Sequence, residues 1–210
     1  QFNNTSIDGY SNNCSVNDGY NWDFGDGTTS TLRDLSHAYS APGTYTISLY
    51  GENSCGVTNT VTKTICVEPA LMAAFTLNTN NGCSPLATQT TNTTDLSDSC
   101  GGETYLWEVT YASGFCGTAP EQWSFTNGTD ENSAAPSFNF ITAGTYTLTL
   151  TTTNSCGTDS VSETIEVKRP PTIAINSISD SCGSASITPI ANVDACAPSS
   201  ETVTYSWRFP

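Results

Sequence analysis

The chain has 210 residues, of which 20 are acidic and 5 are basic, giving a formal net charge of −15. Because phosphate backbones and anionic lipid surfaces are bound through clustered Lys and Arg, this charge argues against nucleic-acid binding and against binding to a membrane surface. The apolar runs fall well short of the roughly 20 residues that a bilayer-spanning helix needs, so we expect no direct membrane insertion in this segment.

The residue types indicate an all-β protein. Thr, Ser, Asn and Gly are abundant alongside aromatic residues, and no long segment has helical apolar spacing. Thr and aromatic residues favour half-buried pleated surfaces, while Gly, Asn and Asp favour tight turns. The nine cysteines include no CxxC pair, and His37 is the single histidine. These features favour disulfides over a zinc site and place the protein in an oxidising, extracytoplasmic compartment.

Three short segments repeat the pattern of a strand with one buried face. They lie at residues 20–24, 105–109 and 205–209. Each has a tryptophan at its centre and alternates apolar with polar positions, which predicts that Trp22, Trp107 and Trp207 face a core.

A longer repeat follows each of the first two tryptophan strands. Residues 41–49 align with 143–150 through a shared Gly-Thr-Tyr, which predicts strands whose Tyr45 and Tyr146 face the core. An Asn-Ser-Cys-Gly motif and a final strand then follow in both copies, at 53–56 and 61–65 and at 154–157 and 161–165.

These repeats predict three domains. The first occupies residues 1–68 and is expected to lack its opening strand, and the second occupies 73–168 and contains an inserted loop. The third begins at 172 and is expected to stop inside its tryptophan strand at 210, so we expect the sequence to be a segment of a longer array. The prolines at 69 and at 170–171 are interpreted as short, stiff linkers, because a sheet does not easily continue through proline.

The residues that follow Trp22 carry a family resemblance. Residues 22–27 read Trp-Asp-Phe-Gly-Asp-Gly, and His-x-Tyr and Gly-Thr-Tyr follow at 37–39 and 43–45. This combination resembles the PKD (polycystic kidney disease) domain family, which implies tandem immunoglobulin-like β-sandwiches. The second copy lacks the Gly-Asp-Gly turn after Trp107, so its loop there is expected to differ.

The resemblance also implies a cysteine framework. In such a sandwich, the loop before the tryptophan strand and the loop after the Gly-Thr-Tyr strand lie at the same end. The expected disulfides are therefore Cys14–Cys55 and Cys100–Cys156, with Cys83–Cys116 at the opposite end. Cys66 is expected to pair with a cysteine upstream of Gln1. Cys182 and Cys196 are expected to pair either downstream of Pro210 or with each other.

No catalytic pattern stands out, and we expect neither an enzyme nor a cofactor. His37 aligns with Phe138 in the second copy, which indicates a packing position rather than a general base. No Gly-x-Ser-x-Gly motif is present. Asp18 and Asp26 are candidates for a calcium site, since calcium takes six to eight oxygen ligands. The preferred interpretation of Asp26 is a tight turn with Gly27.

The expected function is that of a structural and adhesive stalk. Arrays of cysteine-containing PKD-like domains resemble the giant gliding adhesins of Bacteroidota, the SprB-type adhesins exported by the type IX secretion system. This resemblance implies a location at the cell surface, associated with the outer membrane. It also implies the secretion and motility machinery as partners, together with extracellular surfaces or polysaccharide.

Two other readings remain open. The first is a binding module attached to a secreted hydrolase such as a protease or chitinase, with Tyr111, Phe115 and Trp123 as candidate surface aromatics. The packing of these rings on their own sandwich is the favoured alternative. The second is a eukaryotic ectodomain, against which the low Lys content and the Asn-Ser-Cys-Gly pattern argue.

Overall fold

The structure is a computed structural model. It describes residues 2, 3, 5, 19–53, 56–114, 116, 119–180, 182–184, 186–196, 204 and 206–208. The chain forms two compact units, one of Gln1–Ala70 with Leu96–Gly102 and one of Leu71–Asp95 with Glu103–Pro210. Residues 172–210, predicted as a third domain, therefore belong to the same unit as most of residues 73–168. Nowhere in the described ranges is there a helix long and apolar enough to cross a membrane.

The first unit contains one antiparallel sheet built around the Gly-Thr-Tyr strand. Its strands are β1 (Gly19–Asp23), β2 (Thr29–Ser30), β3 (Gly43–Asn53), β4 (Gly56–Val57) and β5 (Val61–Val67). They follow the order β2-β1-β3-β4, and β5 also pairs with β3. Trp22 lies opposite Leu49, and Tyr45 lies opposite Ile65. Both predicted strands of this repeat are thus present and adjacent.

The core of the first unit is small and open on one side. Trp22, Phe24 and Ile47 are its buried members, and Phe2 and Leu35 pack against them. Val61 is 63% exposed. A groove of about 440 Å³ runs over Trp22, Ile47, Leu49, Val61 and Ile65. Within the described residues, no second sheet covers this apolar face.

The second unit is a sandwich of two sheets. Its strands are β6 (Phe75–Leu77), β7 (Asn81–Cys83), β8 (Leu86–Asn92), β9 (Thr104–Ala112), β10 (Trp123–Thr126), β11 (Ser137–Phe140), β12 (Gly144–Asn154), β13 (Gly157–Ile175) and β14 (Ala191–Cys196). One sheet has the order β10-β11-β8-β6 and the other β14-β13-β12-β9, with β7 added to β13 in parallel. The all-β, immunoglobulin-like fold class is therefore confirmed.

A continuous core lies between these two sheets. The inward residues of β9 and β12 alternate with more exposed residues, as the period of two requires. The buried members are Phe75, Trp107, Phe138, Phe140, Tyr146, Leu148, Leu150, Ile165 and Val167. The prediction that Trp107 and Tyr146 are core residues is confirmed, since they are 2% and 0% exposed.

The two repeats share two hydrogen bonds, one made by the repeated tryptophan and one made by the tyrosine of Gly-Thr-Tyr. Trp22 Nε1 donates to the Leu32 carbonyl and Trp107 Nε1 to the Ser133 carbonyl, both at 2.9 Å. The tyrosine of each Gly-Thr-Tyr donates its hydroxyl to the carbonyl four residues upstream, at 2.9 Å for Tyr45 and 2.8 Å for Tyr146. This bond resembles the tyrosine corner of immunoglobulin-like domains, and it fixes where the strand begins.

The predicted linker at residues 170–171 is part of a strand. β13 runs for 19 residues through both prolines. It pairs with β12 up to Val167 and with β14 from Arg169, and the register shifts between Arg169 and Thr172. Prolines are tolerated at such an irregularity because no ladder bond is required of their missing N–H groups. The strand therefore continues through the prolines, while its pairing partner and register change there.

Trp207 corrects a core prediction. It is 40% exposed, although its sequence register matches that of Trp22 and Trp107. The described residues beyond Cys196 include no strand. An alternating sequence buries its apolar side chains only when the segment forms a strand that packs against another sheet, and the described residues here do not.

Candidate functional site

A polar cluster in the first unit surrounds Asp26, in the turn after β1. The Asp26 carboxylate accepts hydrogen bonds from the Thr28 backbone N–H at 3.0 Å and from the Thr28 hydroxyl at 2.6 Å. It also lies 2.7 Å from His37 Nε2. The Thr28 hydroxyl is the main cause that lowers the pKa of Asp26, to about 2, and His37 lowers it further against the opposing effect of burial.

His37 is held by aromatic rings as well as by this carboxylate. Its ring stacks on Phe24 with centroids 4.2 Å apart and meets Tyr39 edge-on at 4.7 Å. The predicted packing role is therefore confirmed. Sequence patterns do not predict the pairing with Asp26, although they identify the Gly-Asp-Gly and His-x-Tyr motifs that contain the two residues.

The geometry of this cluster does not suit nucleophilic catalysis. In a relay of acid, histidine and hydroxyl, the acid holds one ring nitrogen and the hydroxyl approaches the other. Here Asp26 at 2.7 Å and the Thr28 hydroxyl at 3.5 Å both approach Nε2. The cluster instead ties the turn after β1 to the segment that carries His37.

Metal binding was a second expectation for this turn. In the described ranges, no group of three or more His, Cys, Asp or Glu side chains is arranged to hold a metal ion. Asp18, the other candidate ligand, lies outside the described residues, so a calcium site involving it stays a prediction.

The acid sensitivity of the first unit should follow from Asp26. Its pKa is lower in the folded chain than the ordinary value near 4, so the ionised carboxylate stabilises the fold above pH 4. That stability should be lost as the pH falls from about 4 towards 2. Urea denaturation between pH 6 and pH 2, followed through NMR signals of the first unit, measures this loss.

Thr28→Val is the matched variant for this measurement. It removes the hydroxyl hydrogen bond that lowers the pKa of Asp26 most, so this pKa should rise towards its ordinary value. The loss of stability at low pH should therefore be smaller than in the wild type. An Asp26 carboxyl signal that still titrates near 2 in Thr28→Val would contradict the assignment.

Two glycines in the same turn allow a second matched test. Gly25 and Gly27 have φ of 77° and 89°, which L side chains rarely adopt. A Cβ at Gly25 would lie 2.7 Å from the Thr46 carbonyl oxygen, whereas a Cβ at Gly27 would meet nothing within 4 Å. Gly27→Ala should therefore cost only the backbone strain of about 1–2 kcal/mol. Gly25→Ala should cost roughly 3 kcal/mol or more, because β3 must also move.

Urea denaturation of the full chain, read from first-unit signals, compares these two variants. Equal losses of stability in Gly25→Ala and Gly27→Ala would show that the close approach of the turn to β3 is not a constraint.

The disulfides differ from the expected framework. Cys66 is bonded to Cys100, and Cys116 to Cys196, with Cα atoms 5.8 Å and 4.6 Å apart. The predicted Cys100–Cys156 and Cys83–Cys116 pairs are therefore wrong. The expected partners of Cys66 upstream, and of Cys196 downstream or at Cys182, are also wrong. Neither bond includes Cys83, Cys156 or Cys182, whose side chains are exposed. Cys14 and Cys55 lie outside the described residues.

The physical reason is the path of the chain between strands. The segment Leu96–Gly102 belongs to the first unit, so Cys100 meets the end of β5 instead of the turn after β12. Cys196 reaches the inserted loop because β14 pairs with β13 beyond the prolines. Both pairings depend on contacts between residues far apart in the sequence, so the spacing of the cysteines alone does not predict them.

The aromatic residues of the inserted loop pack on their own sandwich. Tyr111 lies 4.9 Å from the Tyr146 ring and donates its hydroxyl to the Ala143 carbonyl at 2.8 Å. Trp123 contacts Phe125 and Phe138, with centroids 5.4 Å and 6.1 Å away. Phe115 lies outside the described residues. Tyr111 and Trp123 are therefore core contacts and not an exposed binding face.

Comparisons with known proteins agree with this architecture. A family model for the PKD domain matches residues 7–68 and 100–169. Over 46 residues the chain is 46% identical to a microbial collagenase of Vibrio alginolyticus, a match covering 22% of this chain and 6% of the collagenase. The chain thus spans a small part of that relative's length.

Two solved structures are also similar. The PKD1 domain of the metalloprotease PrtV from Vibrio cholerae has 31% sequence identity and a TM-score of 0.31, covering 47% of this chain and 98% of that domain. The titin fragment I67–I69 has 15% identity and a TM-score of 0.43, covering 75% of this chain and 57% of the fragment. Since the PKD family model covers more than half of the sequence, the chain belongs to the PKD domain family.

Proposed function

We propose that this chain is a non-catalytic segment of a cell-surface adhesin, in which PKD sandwiches in series form an extended stalk. The observation that carries the proposal is that two PKD repeats follow one another in the sequence and that each of the two compact units contains a disulfide. Cys66 of the first repeat is bonded to Cys100 of the second, and Cys116 of the second to Cys196 beyond the prolines. Disulfides that close long loops within each unit suit a chain that resists extension.

Composition and chemistry support the same role. Disulfides are consistent with an extracellular protein. The net charge of −15 disfavours self-association and binding to anionic surfaces. At about 3.3 Å per strand residue, each repeat would add roughly 30–40 Å to the length of a stalk.

We further propose gliding motility as the process. In this proposal the parent protein is exported by type IX secretion, is held at the outer membrane by the motility machinery, and grips external surfaces or polysaccharide. The support is the resemblance of cysteine-bearing PKD arrays to gliding adhesins.

The native parent protein tests the proposal. Its intact mass, measured reduced and non-reduced, should correspond to thousands of residues, and peptide mapping should recover Cys66–Cys100 and Cys116–Cys196. Antibodies against this chain should label the surface of intact cells. A secreted parent of several hundred residues with a catalytic domain would overturn the stalk.

The second candidate function is an accessory module of a secreted protease, favoured by the similarity to parts of a collagenase and of PrtV. Co-sedimentation of the 210-residue chain with insoluble collagen and with chitin tests this candidate. Saturable binding would favour the module. Trp207→Ala is the matched variant, because Trp207 is 40% exposed while Trp22 and Trp107 are buried. Absence of binding to both materials would count against the module.

A further inference from the structure

We infer that the two disulfides direct tension past most of the second repeat, so that residues 100–116 are the part of this repeat that lies on the load-bearing path. When a chain is pulled from its two ends, force follows the shortest covalent route. The Cys66–Cys100 bond provides such a route around 34 residue steps and the Cys116–Cys196 bond around 80. The biological meaning of this path rests on the proposed stalk function, but the covalent path itself does not.

The bypassed segments contain most of the second unit. Strands β6, β7 and β8 lie between Cys66 and Cys100, and β10 to β14, the last of which ends at Cys196, lie in the loop that the Cys116–Cys196 bond closes. A pull on the ends can separate these strands from their neighbours, but it cannot straighten them, because the S–S bonds outlast the hydrogen bonds of a sheet.

Among the described strands of the second unit, β9 is the one that stays on the path. It pairs with β12 over the whole of Thr104–Ala112. Trp107 anchors it in the core with 2% exposure and donates to the Ser133 carbonyl at 2.9 Å. Since Cys100 and Cys116 are 16 positions apart, this segment extends to at most about 58 Å. The second repeat therefore yields little length even after its sheets have come apart.

Single-molecule force spectroscopy on the full 210-residue chain, held between two well-characterised handle domains, tests this path. Cys66→Ala/Cys100→Ala should increase the total contour length released by about 120 Å, from its 34-residue separation. Cys116→Ala/Cys196→Ala should increase it by about 290 Å, from its 80-residue separation. Cys83→Ala and Cys182→Ala are matched controls that should leave the released length unchanged.

A wild-type chain that releases the same length as either double variant would overturn the inference. If a double variant fails to fold, the folded wild type in dithiothreitol supplies the comparison. Its released length should rise by at least about 410 Å, from the two separations of 34 and 80 residues. An unchanged length in dithiothreitol would also overturn the inference. If the parent protein is short and contains a protease domain, the stalk function is wrong, but the released lengths stay as expected here. Failure of the proposed function and failure of this inference can therefore be told apart.

Discussion

Replacing Cys116 and Cys196 by alanine is expected to lower the free energy of unfolding of the second unit by about 4 kcal/mol. The bond closes a loop of 80 residues, and opening it returns the chain entropy of that loop to the unfolded state. Removing Cys66–Cys100, which closes 34 residues, should cost slightly less, about 3–4 kcal/mol. Urea denaturation of the oxidised full chain, followed by NMR signals of each unit, measures both losses.

Exposed cysteines outside these bonds provide the control for this experiment. Cys83→Ala and Cys182→Ala remove exposed side chains and should change stability by no more than about 0.5 kcal/mol. A loss below about 1 kcal/mol in Cys116→Ala/Cys196→Ala would contradict the bond or its entropic role.

Trp107→Ala is expected to destabilise the second unit by about 3–5 kcal/mol. The side chain is 2% exposed and meets Phe75 and Phe138, with ring centroids 4.9 Å and 6.2 Å away. Its loss leaves a cavity between the sheets and removes the donor to the Ser133 carbonyl. Urea denaturation followed by tyrosine NMR signals of the second unit gives the free energy without relying on tryptophan fluorescence.

Two substitutions separate burial from residue type. Leu106→Ala, one position away on the outer face at 41% exposure, should cost less than about 1 kcal/mol. Trp207→Ala removes the same side chain from the same repeat position at 40% exposure and should cost similarly little. A Trp207→Ala loss as large as that of Trp107→Ala would contradict the exposed position of Trp207.

Local patterns in the sequence predicted the strands well. The period-two alternation identified the strands around Trp22 and Trp107, and the Gly-Thr-Tyr repeat identified β3 and β12. The missing Gly-Asp-Gly correctly indicated a different path after Trp107. There β9 continues to Ala112, whereas the first unit turns at Gly25 and Gly27. Each of these inferences depends on a few neighbouring residues, whose backbone preferences the fold retains.

Long-range placement was beyond those patterns. The partner of Cys100 depends on where the segment Leu96–Gly102 lies, and the partner of Cys196 depends on the pairing of β14 with β13. The contact between Asp26 and His37 joins two motifs that were each recognised but not connected. Trp207 is a different case. Its sequence pattern matches that of Trp22 and Trp107, but the described residues contain no opposing sheet that would bury it.

The unbroken path of β13 through Pro170 and Pro171 bears on how this chain loses its structure. At about 3.3 Å per residue, a strand of 19 residues is roughly 63 Å long. One part of it belongs to the ladder with β12 and the next to the ladder with β14. Segments that share a strand are strongly coupled, because unfolding of one segment removes the strand with which the next one pairs. Thermal denaturation should therefore proceed in cooperative blocks larger than one repeat, and domain boundaries drawn at the prolines would cut through a single unit of folding.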